Sequence, residues 1–352
     1  MSGTPFLKMH GLGNDFVILD DRAGTLGLSP RRISIIAHRQ LGVGCDQLIV
    51  LEKPTEREAD VFMRIYNPDG GEAGACGNAT RCVASLLMDE RKSDHAIVQT
   101  ISGLLDSQKT GMGANGLPVI AVDMGPARLD WREIPVARAC DTNHMPVGIG
   151  PLQDPVGTNM GNPHATFFVD DLDSIPIAEL GPQLEHHAFF PERANIGVAQ
   201  MIGKDRLRLK VWERGAGLTL ACGSGACAAG VAAIRRGLSG RTVEVFVEHG
   251  TLTIEWMRDR HVMMTGGISL AYKGELALAR AAKAANIPFT LATGSTTSME
   301  DVAKLVGGTL WFQLYMWSDV RLSHMLVERA KHAGYEALVV TVDGPVNTGP
   351  ST

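Results

Sequence analysis

The chain lacks long apolar runs: no stretch of 18 apolar residues occurs among its 352, so no helix is expected to cross a bilayer. The opening M-S-G-T-P-F-L-K-M-H-G also lacks a charged segment followed by an apolar one, so no secretory leader is expected. A large excess of one charge is missing too. The formal net charge is −5, which gives no ground for nucleic-acid binding. The six cysteines (Cys45, Cys76, Cys82, Cys140, Cys222 and Cys227) include no C-x-x-C pair, which argues against a zinc ribbon. Without export, a disulfide framework is not expected either, and the cytoplasm is the default location. No lysine setting for pyridoxal phosphate is evident, so neither a cofactor nor a metal is expected.

What the chain does have is one cysteine setting, twice. Residues 64–78 read R-I-Y-N-P-D-G-G-E-A-G-A-C-G-N, and residues 210–224 read K-V-W-E-R-G-A-G-L-T-L-A-C-G-S. They align without a gap at an offset of 146, which brings Cys76 onto Cys222 and Gly77 onto Gly223. G-N-D-F at 13–16 and G-N-P-H at 161–164, and C-D-Q at 45–47 and A-N-I at 194–196, repeat at a similar spacing. A period this long is no solenoid and predicts two homologous domains facing each other across a cleft.

The expected fold class is α+β: two pseudo-symmetric mixed domains, residues 1–124 and 125–267, followed by a separate segment, 268–352. Strands are predicted at 16–20, 47–51, 61–66, 118–124, 165–169, 207–212 and 242–247, and helices at 30–39 and after Cys76 and Cys222. Residues 105–117 read as a loop. From Ile268 the pattern changes to strand–helix alternation of the parallel-sheet kind. A strong amphipathic helix is expected over 271–286, then strands at 287–292, 310–316 and 336–343 around helices at 298–306 and 319–334.

A cysteine at a helix N-terminus meets free N–H donors and the positive end of the helix dipole, both of which favour thiolate. A lone cysteine is more often a small core residue, and Cys82 and Cys227, later in the same helices, read that way. The duplication is what favours chemistry at Cys76 and Cys222. Inverting a stereocentre needs a proton removed from one face and another delivered to the opposite face. A thiolate and a thiol can do both and exchange roles for the reverse reaction. Glu213, nine residues before Cys222 as Asn67 is before Cys76, and His164 are candidates to tune the thiols. Alone, the Glu213–Arg214 pair would read as a strand-end salt bridge. Asn14, Gln47, Asn67, Asn78, Asn162 and Asn195 could line a pocket for a zwitterion, donating to carboxylate and accepting from ammonium.

At these residues the chain resembles the diaminopimelate epimerases, over about residues 6–267. The likeness runs through K-M-H-G-L-G-N-D-F, L-G-V-G-C-D-Q, Y-N-P-D-G and C-G-N in the first half. In the second it runs through G-N-P-H, P-E-R-A-N-I-G, W-E-R-G-A-G and A-C-G-S-G-A-C-A-A. The resemblance implies Cys76 and Cys222 as the acid/base pair, with His164 and Glu213 adjusting their pKa values. It implies substrate contacts from Asn14, Gln47, Asn67, Gly77, Asn78, Asn162, Asn195, Glu213, Arg214, Gly223 and Ser224. It also implies a cofactor-free exchange of LL- and meso-diaminopimelate, on the route to lysine and peptidoglycan precursors, often by a homodimer. One departure is Ala79, where that family usually has glycine.

The tail resembles the flavin-dependent α-hydroxy-acid oxidases and dehydrogenases through K-G-E-L-A-L-A-R-A-A, W-F-Q-L-Y and A-L-V-V-T-V-D. Gln313, Tyr315 and Thr341 match positions that contact flavin or substrate there, whereas Ala292 stands where a serine is expected. A few βα units cannot close a barrel, so the tail is expected to be a non-functional remnant. The competing readings are a flavin oxidoreductase residing in the tail and an inactive epimerase-like protein. In that last reading, a closing strand lost at Ile268 would leave a sheet edge exposed.

Overall fold

The computed structural model describes residues 6–74, 76–113, 118–219, 222–273, 282–283, 285–292, 295, 298–315 and 320–341. The first half consists of β1 (Phe6–Gly11), β2 (Asn14–Asp20), α1 (Pro30–Ala37), β3 (Gln47–Glu52) and β4 (Val61–Tyr66). It continues through β5 (Glu72–Ala73), α2 (Gly77–Arg91), β6 (His95–Thr100), β7 (Gly103–Met112) and β8 (Pro118–Pro126). The second half has β9 (Val156–Asn159), β10 (Pro163–Phe168), α3 (Ile177–Glu185), β11 (Asn195–Gly203), β12 (Arg206–Glu213) and β13 (Gly217–Thr219). After it come α4 (Gly223–Arg235), β14 (Thr242–Val247), β15 (Gly250–Trp256), β16 (His261–Gly267) and β17 (Ser269–Lys273).

The two halves repeat each other strand by strand. β2 runs parallel to β3 with Phe16 opposite Gln47, and β10 runs parallel to β11 with His164 opposite Asn195. β4 turns back on β5 and pairs in parallel with β6; β12 does the same with β13 and β14. In each half one helix is enclosed by these strands. Ala79, Cys82, Val83 and Ala84 of α2 are fully buried among Ile49, Ile65, Val98 and Ile120. Ala226, Cys227, Ala228, Ala229 and Val231 of α4 are buried among Val211, Val245 and Ile254. Small residues on every side let a helix be surrounded rather than laid on a surface. An added Cβ at Gly230 would sit 2.8 Å from Ile254 Cγ2, so α4 approaches β15 more closely than any side chain would allow.

Among the described residues, two strand pairings join the halves. β8 pairs with β7 of its own half and with β16 of the other. β17 then pairs antiparallel with β1, Met9 lying opposite Leu270 and His10 opposite Ser269. This corrects two expectations. The helix predicted from Ala271 is strand over 271–273, residues 274–281 lying outside those described. The closing strand expected to be lost at Ile268 is present, and Ile268 is buried in the first half's core. A third correction concerns 105–112. This segment is part of β7, held between β6 and β8, because Leu105 and Ser107 point inward while polar neighbours face solvent. Helix α3 carries no apparent helix signal in the sequence because Pro182 lies inside it.

The tail forms a separate parallel sheet of β18 (Phe289–Ala292), β19 (Leu310–Tyr315) and β20 (Ala337–Thr341), with α5 (Met299–Leu305) and α6 (Val320–His332) between them. Leu291, Val302, Phe312, Leu314 and Leu326 make its small core. Leu338, Val339 and Val340 on the last strand are each about 40 % exposed. Adjacent residues of a strand point to opposite faces, so both faces of β20 lie uncovered, as expected of an open fragment of a larger parallel sheet.

Candidate active site

Cys76 and Cys222 are the N-cap residues of α2 and α4, both with extended backbone (φ −147° and −111°). This places each sulfur beside the first free amides of its helix. Gly77 and Gly223 follow as the first helical residues, and both face one side chain. A Cβ at Gly77 would lie 2.4 Å from Met264 Cε, and one at Gly223 would lie 3.2 Å from Met264 Sδ. The two helix starts therefore converge on Met264 of β16, and the sequence alone gave no signal for this methionine.

Around Cys76, the thiol Sγ lies 3.7 Å from Asn14 Oδ1, which also accepts from Asn78 Nδ2 at 3.2 Å. Asn14 Nδ2 in turn donates to Asp46 Oδ2 at 3.0 Å, and Arg39 holds Asp46 and Asp15 from outside. Asp46 went unnoticed in the sequence, although it stands inside C-D-Q. Gln47 Nε2 donates to Asn67 Oδ1 at 3.2 Å, so these two amides form a second pair in the first half. Ala79 is buried in the first turn of α2. Its side chain adds only a methyl where that family usually has glycine, and no side-chain cap hydrogen bond forms at Cys76 among the described residues, whereas Cys222 accepts one from Gly225 N.

Around Cys222, the sulfur accepts from Gly225 N at 3.3 Å and lies 3.5 Å from Ser224 Oγ. The Glu213 carboxylate also bears on this thiol, and Thr219 Oγ1 donates to Glu213 Oε1. His164 is buried, its Nε2 lying 2.8 Å from Asn162 Oδ1 and 3.1 Å from Ser224 Oγ. Asn195 donates to the Pro163 carbonyl and accepts from Arg214 N, tying β10, β11 and the end of β12 together. Arg214 Nη1 donates to the Glu192 carbonyl.

The electrostatics are set first by burial. Burial pushes the Cys76 thiol up to about 11, with Glu213 adding to the rise and the amides of Ala79 and Asn78 and the Arg81 charge opposing it. Burial also raises Cys222 well above its ordinary value, and Glu213 again adds to the rise while Ser224 and Gly225 oppose it. Glu213 is itself raised by burial. Burial, and then the Arg214 charge, hold His164 down at about 3, so it is a neutral imidazole. One carboxylate thus acts on both thiols. Cys45 is a buried core thiol, and Cys82 and Cys227 are fully buried inside their helices, as expected.

Two stretches of the chain, residues 6–129 and 156–271, match the family model described as diaminopimelate epimerase. The chain belongs to the diaminopimelate epimerase family. A diaminopimelate epimerase from Rhodospirillum centenum is 56 % identical over 271 residues, covering 77 % of this chain and 91 % of that protein. One from Acidiphilium cryptum is 53 % identical over 275 residues, covering 78 % and 97 %. Among solved structures, a probable proline racemase from Agrobacterium radiobacter aligns with a TM-score of 0.57 at 12 % identity, covering 77 % of this chain and 92 % of that one. A phenazine biosynthesis protein from Bacillus anthracis aligns at 0.56 and 17 % identity, covering 78 % and 98 %. These two likenesses show the shared fold. Residues 262–349 match a second model, FMN-dependent dehydrogenase, which overlaps the epimerase match at 262–271. In the structure this overlap belongs to β16 and β17 of the large sheet. The tail does not fit a flavin site: three strands leave the sheet open, and Gln313 Nε2 is taken up by Thr341 Oγ1 at 2.6 Å. The side chain of Tyr315 lies outside the described residues.

Proposed function

We propose that this protein is a working diaminopimelate epimerase, exchanging the LL and meso forms with Cys76 and Cys222 as its two acid/base groups. The observation that carries the reading is the pair of cysteine N-caps whose helix starts converge on Met264, with Glu213 acting on both thiols. In one direction a thiolate takes the Cα proton: the Cα–H bond breaks, an S–H bond forms, and the electron pair stays on the substrate. The opposite thiol then gives up its S–H proton to the other face of Cα and becomes the thiolate. The reverse reaction exchanges the roles, and no redox partner is needed.

Free backbone N–H groups at the two helix starts would take the α-carboxylate and stabilise the negative charge that spreads onto it. Asn14, Asn78 and the Gln47–Asn67 pair would meet the substrate from the first half. Asn162, Asn195, Arg214 and Ser224 would meet it from the second, the long polar set suiting an extended zwitterion. The domain division follows the same reading: one domain per half, β8 ending the first and β17 completing it from the far end of the second. Family membership also supports a homodimer acting in the cytoplasm as part of lysine biosynthesis, which light scattering and fractionation would check.

The test is deuterium entry at Cα from heavy water. The wild type is expected to exchange and epimerise; exchange at an undiminished rate after Cys76→Ala and Cys222→Ala would overturn the assignment.

A further inference from the structure

Arg81 lies in the first turns of α2 and is fully buried, yet no carboxylate pairs with it among the described residues. Its Nη2 donates to Asn78 Oδ1 at 2.8 Å, its Nη1 reaches Met264 Sδ at 3.4 Å, and its Nε has no partner among the described residues. Backbone presses on it from both sides: a Cβ at Gly11 would lie 3.1 Å from Nη2, and one at Gly266 3.4 Å from Cζ. A guanidinium does not shed its proton in a protein, so this is a retained buried cation, a costly thing to keep for packing alone.

Its hydrogen bonds have a direction. Arg81 donates to Asn78, Asn78 to Asn14, and Asn14 to Asp46. A guanidinium can only donate and a carboxylate can only accept, so the two amides between them are fixed head to tail. That direction leaves Asn14 Oδ1 as the atom turned toward Cys76 Sγ. A methionine or leucine of similar bulk could pack α2 against β16 but could not set it.

Building on the epimerase reading, we propose that Arg81 is a positioning residue of the active site. It sets the direction of the Asn78–Asn14 relay and supplies the positive charge on the Cys76 side. The other groups around it do not cancel that charge. Cys82 on its own helix and Cys227 on α4 are pushed up to about 12 by burial and stay neutral. Glu213 on β12 acts on Cys76 in the opposite sense. Lys8 and His10 of β1 alternate with Met9 and lie on the face away from α2, Lys8 paired with Asp15. Asp123 of β8 is paired with His261 of β16, and His95 of β6 with Asp106 of β7.

The experiment follows iodoacetamide alkylation of Cys76 across a pH series in the full-length protein, read by peptide mass, beside KM for diaminopimelate. R81M is expected to move the alkylation midpoint up by about one pH unit, a tenfold smaller thiolate fraction below it, and to raise KM. R81K keeps the charge but not the planar fork. Its midpoint is expected to stay near the wild type while KM still rises. An R81M midpoint equal to the wild type overturns the proposal, and so does an R81K enzyme with the wild-type KM. If R81M does not fold, R81K decides by its KM. Alkylation needs no turnover, so a wild type that fails to epimerise would sink the functional reading separately while leaving the midpoint readable.

Discussion

The two halves share a topology but not a charge. Each presents a cysteine at the start of an enclosed helix, preceded by a short hairpin. At the strand end before that hairpin the first half has Asn67 and the second has Glu213. At the offset of 146, Arg81 of α2 stands where α4 has Cys227. The first half therefore brings a fully buried cation, and the second a half-buried carboxylate. Cys76 is partly exposed beside Asn14; Cys222 is buried between Ser224 and Glu213. On the proposed mechanism, duplication supplies two groups for two faces of one carbon. The surroundings of the two thiols therefore differ: the Arg81 charge opposes the rise at Cys76, whereas Ser224 and Gly225 oppose it at Cys222.

The largest effect should come from removing either member of the pair. Cys76→Ala and Cys222→Ala are each expected to lower turnover by about 10² or more, as losing a positioned acid or base does. The comparison breaks if one of them keeps wild-type turnover in a stereochemical assay, because a two-face mechanism needs both.

The next effect concerns what closes the repeat. β17 pairs with β1 much as Arg128, just past β8, bridges to Asn159 at the end of β9. A protein ending at Gly267 loses this strand and Ile268 from the first half's core. Truncating one such buried side chain alone costs about 2–5 kcal/mol, and an unpaired β1 edge adds an aggregation hazard. A protein ending at Lys273 keeps both. The expected outcome is a clearly lower melting temperature for the first and a near-unchanged one for the second. Equal melting of the two would show that β17 contributes nothing to stability.

Sequence revealed what is local or duplicated. The cysteines, Glu213, His164 and the amides stood out because each half supplied the register for the other. The strands at 61–66 and 207–212 carried their own alternation. β17 was hidden because S-L-A-Y-K is short, its partner is some 260 residues upstream, and the following K-G-E-L-A-L-A-R-A-A imposes a helical period on the reading. β7 was hidden by its polar and glycine-rich composition, which β6 and β8 override through pairing. Arg81 and Met264 gain their meaning only where α2, α4 and β16 meet. No spacing along the chain encodes that meeting.

A third effect tests the unequal charges. The Glu213 carboxylate disfavours thiolate at both cysteines, and at Cys222 it is the largest influence after burial. Glu213→Gln removes that negative charge. The alkylation midpoints of both thiols should then move to lower pH, Cys222 by more than Cys76. The acid limb of the activity profile shifts the same way, since the base is deprotonated earlier. A rise in either midpoint would show that Glu213 acts through packing.

The smallest effect separates the two glycines. An alanine methyl at Gly77 meets Met264 Cε at 2.4 Å and Met124 Sδ at 3.0 Å, whereas at Gly223 the nearest atom is Met264 Sδ at 3.2 Å. Overpacking of this kind typically costs about 1–3 kcal/mol, reduced here because methionine tips can move aside. Gly77→Ala should therefore lower the melting temperature more than Gly223→Ala. Adding Met264→Ala should recover part of the loss at Gly77 by opening the space the methyl needs. Recovery at Gly77 would tie both helix starts to one shared side chain. If Met264→Ala is simply additive with Gly77→Ala, the two residues do not contend for the same space, and the convergence on Met264 is weaker than the distances imply.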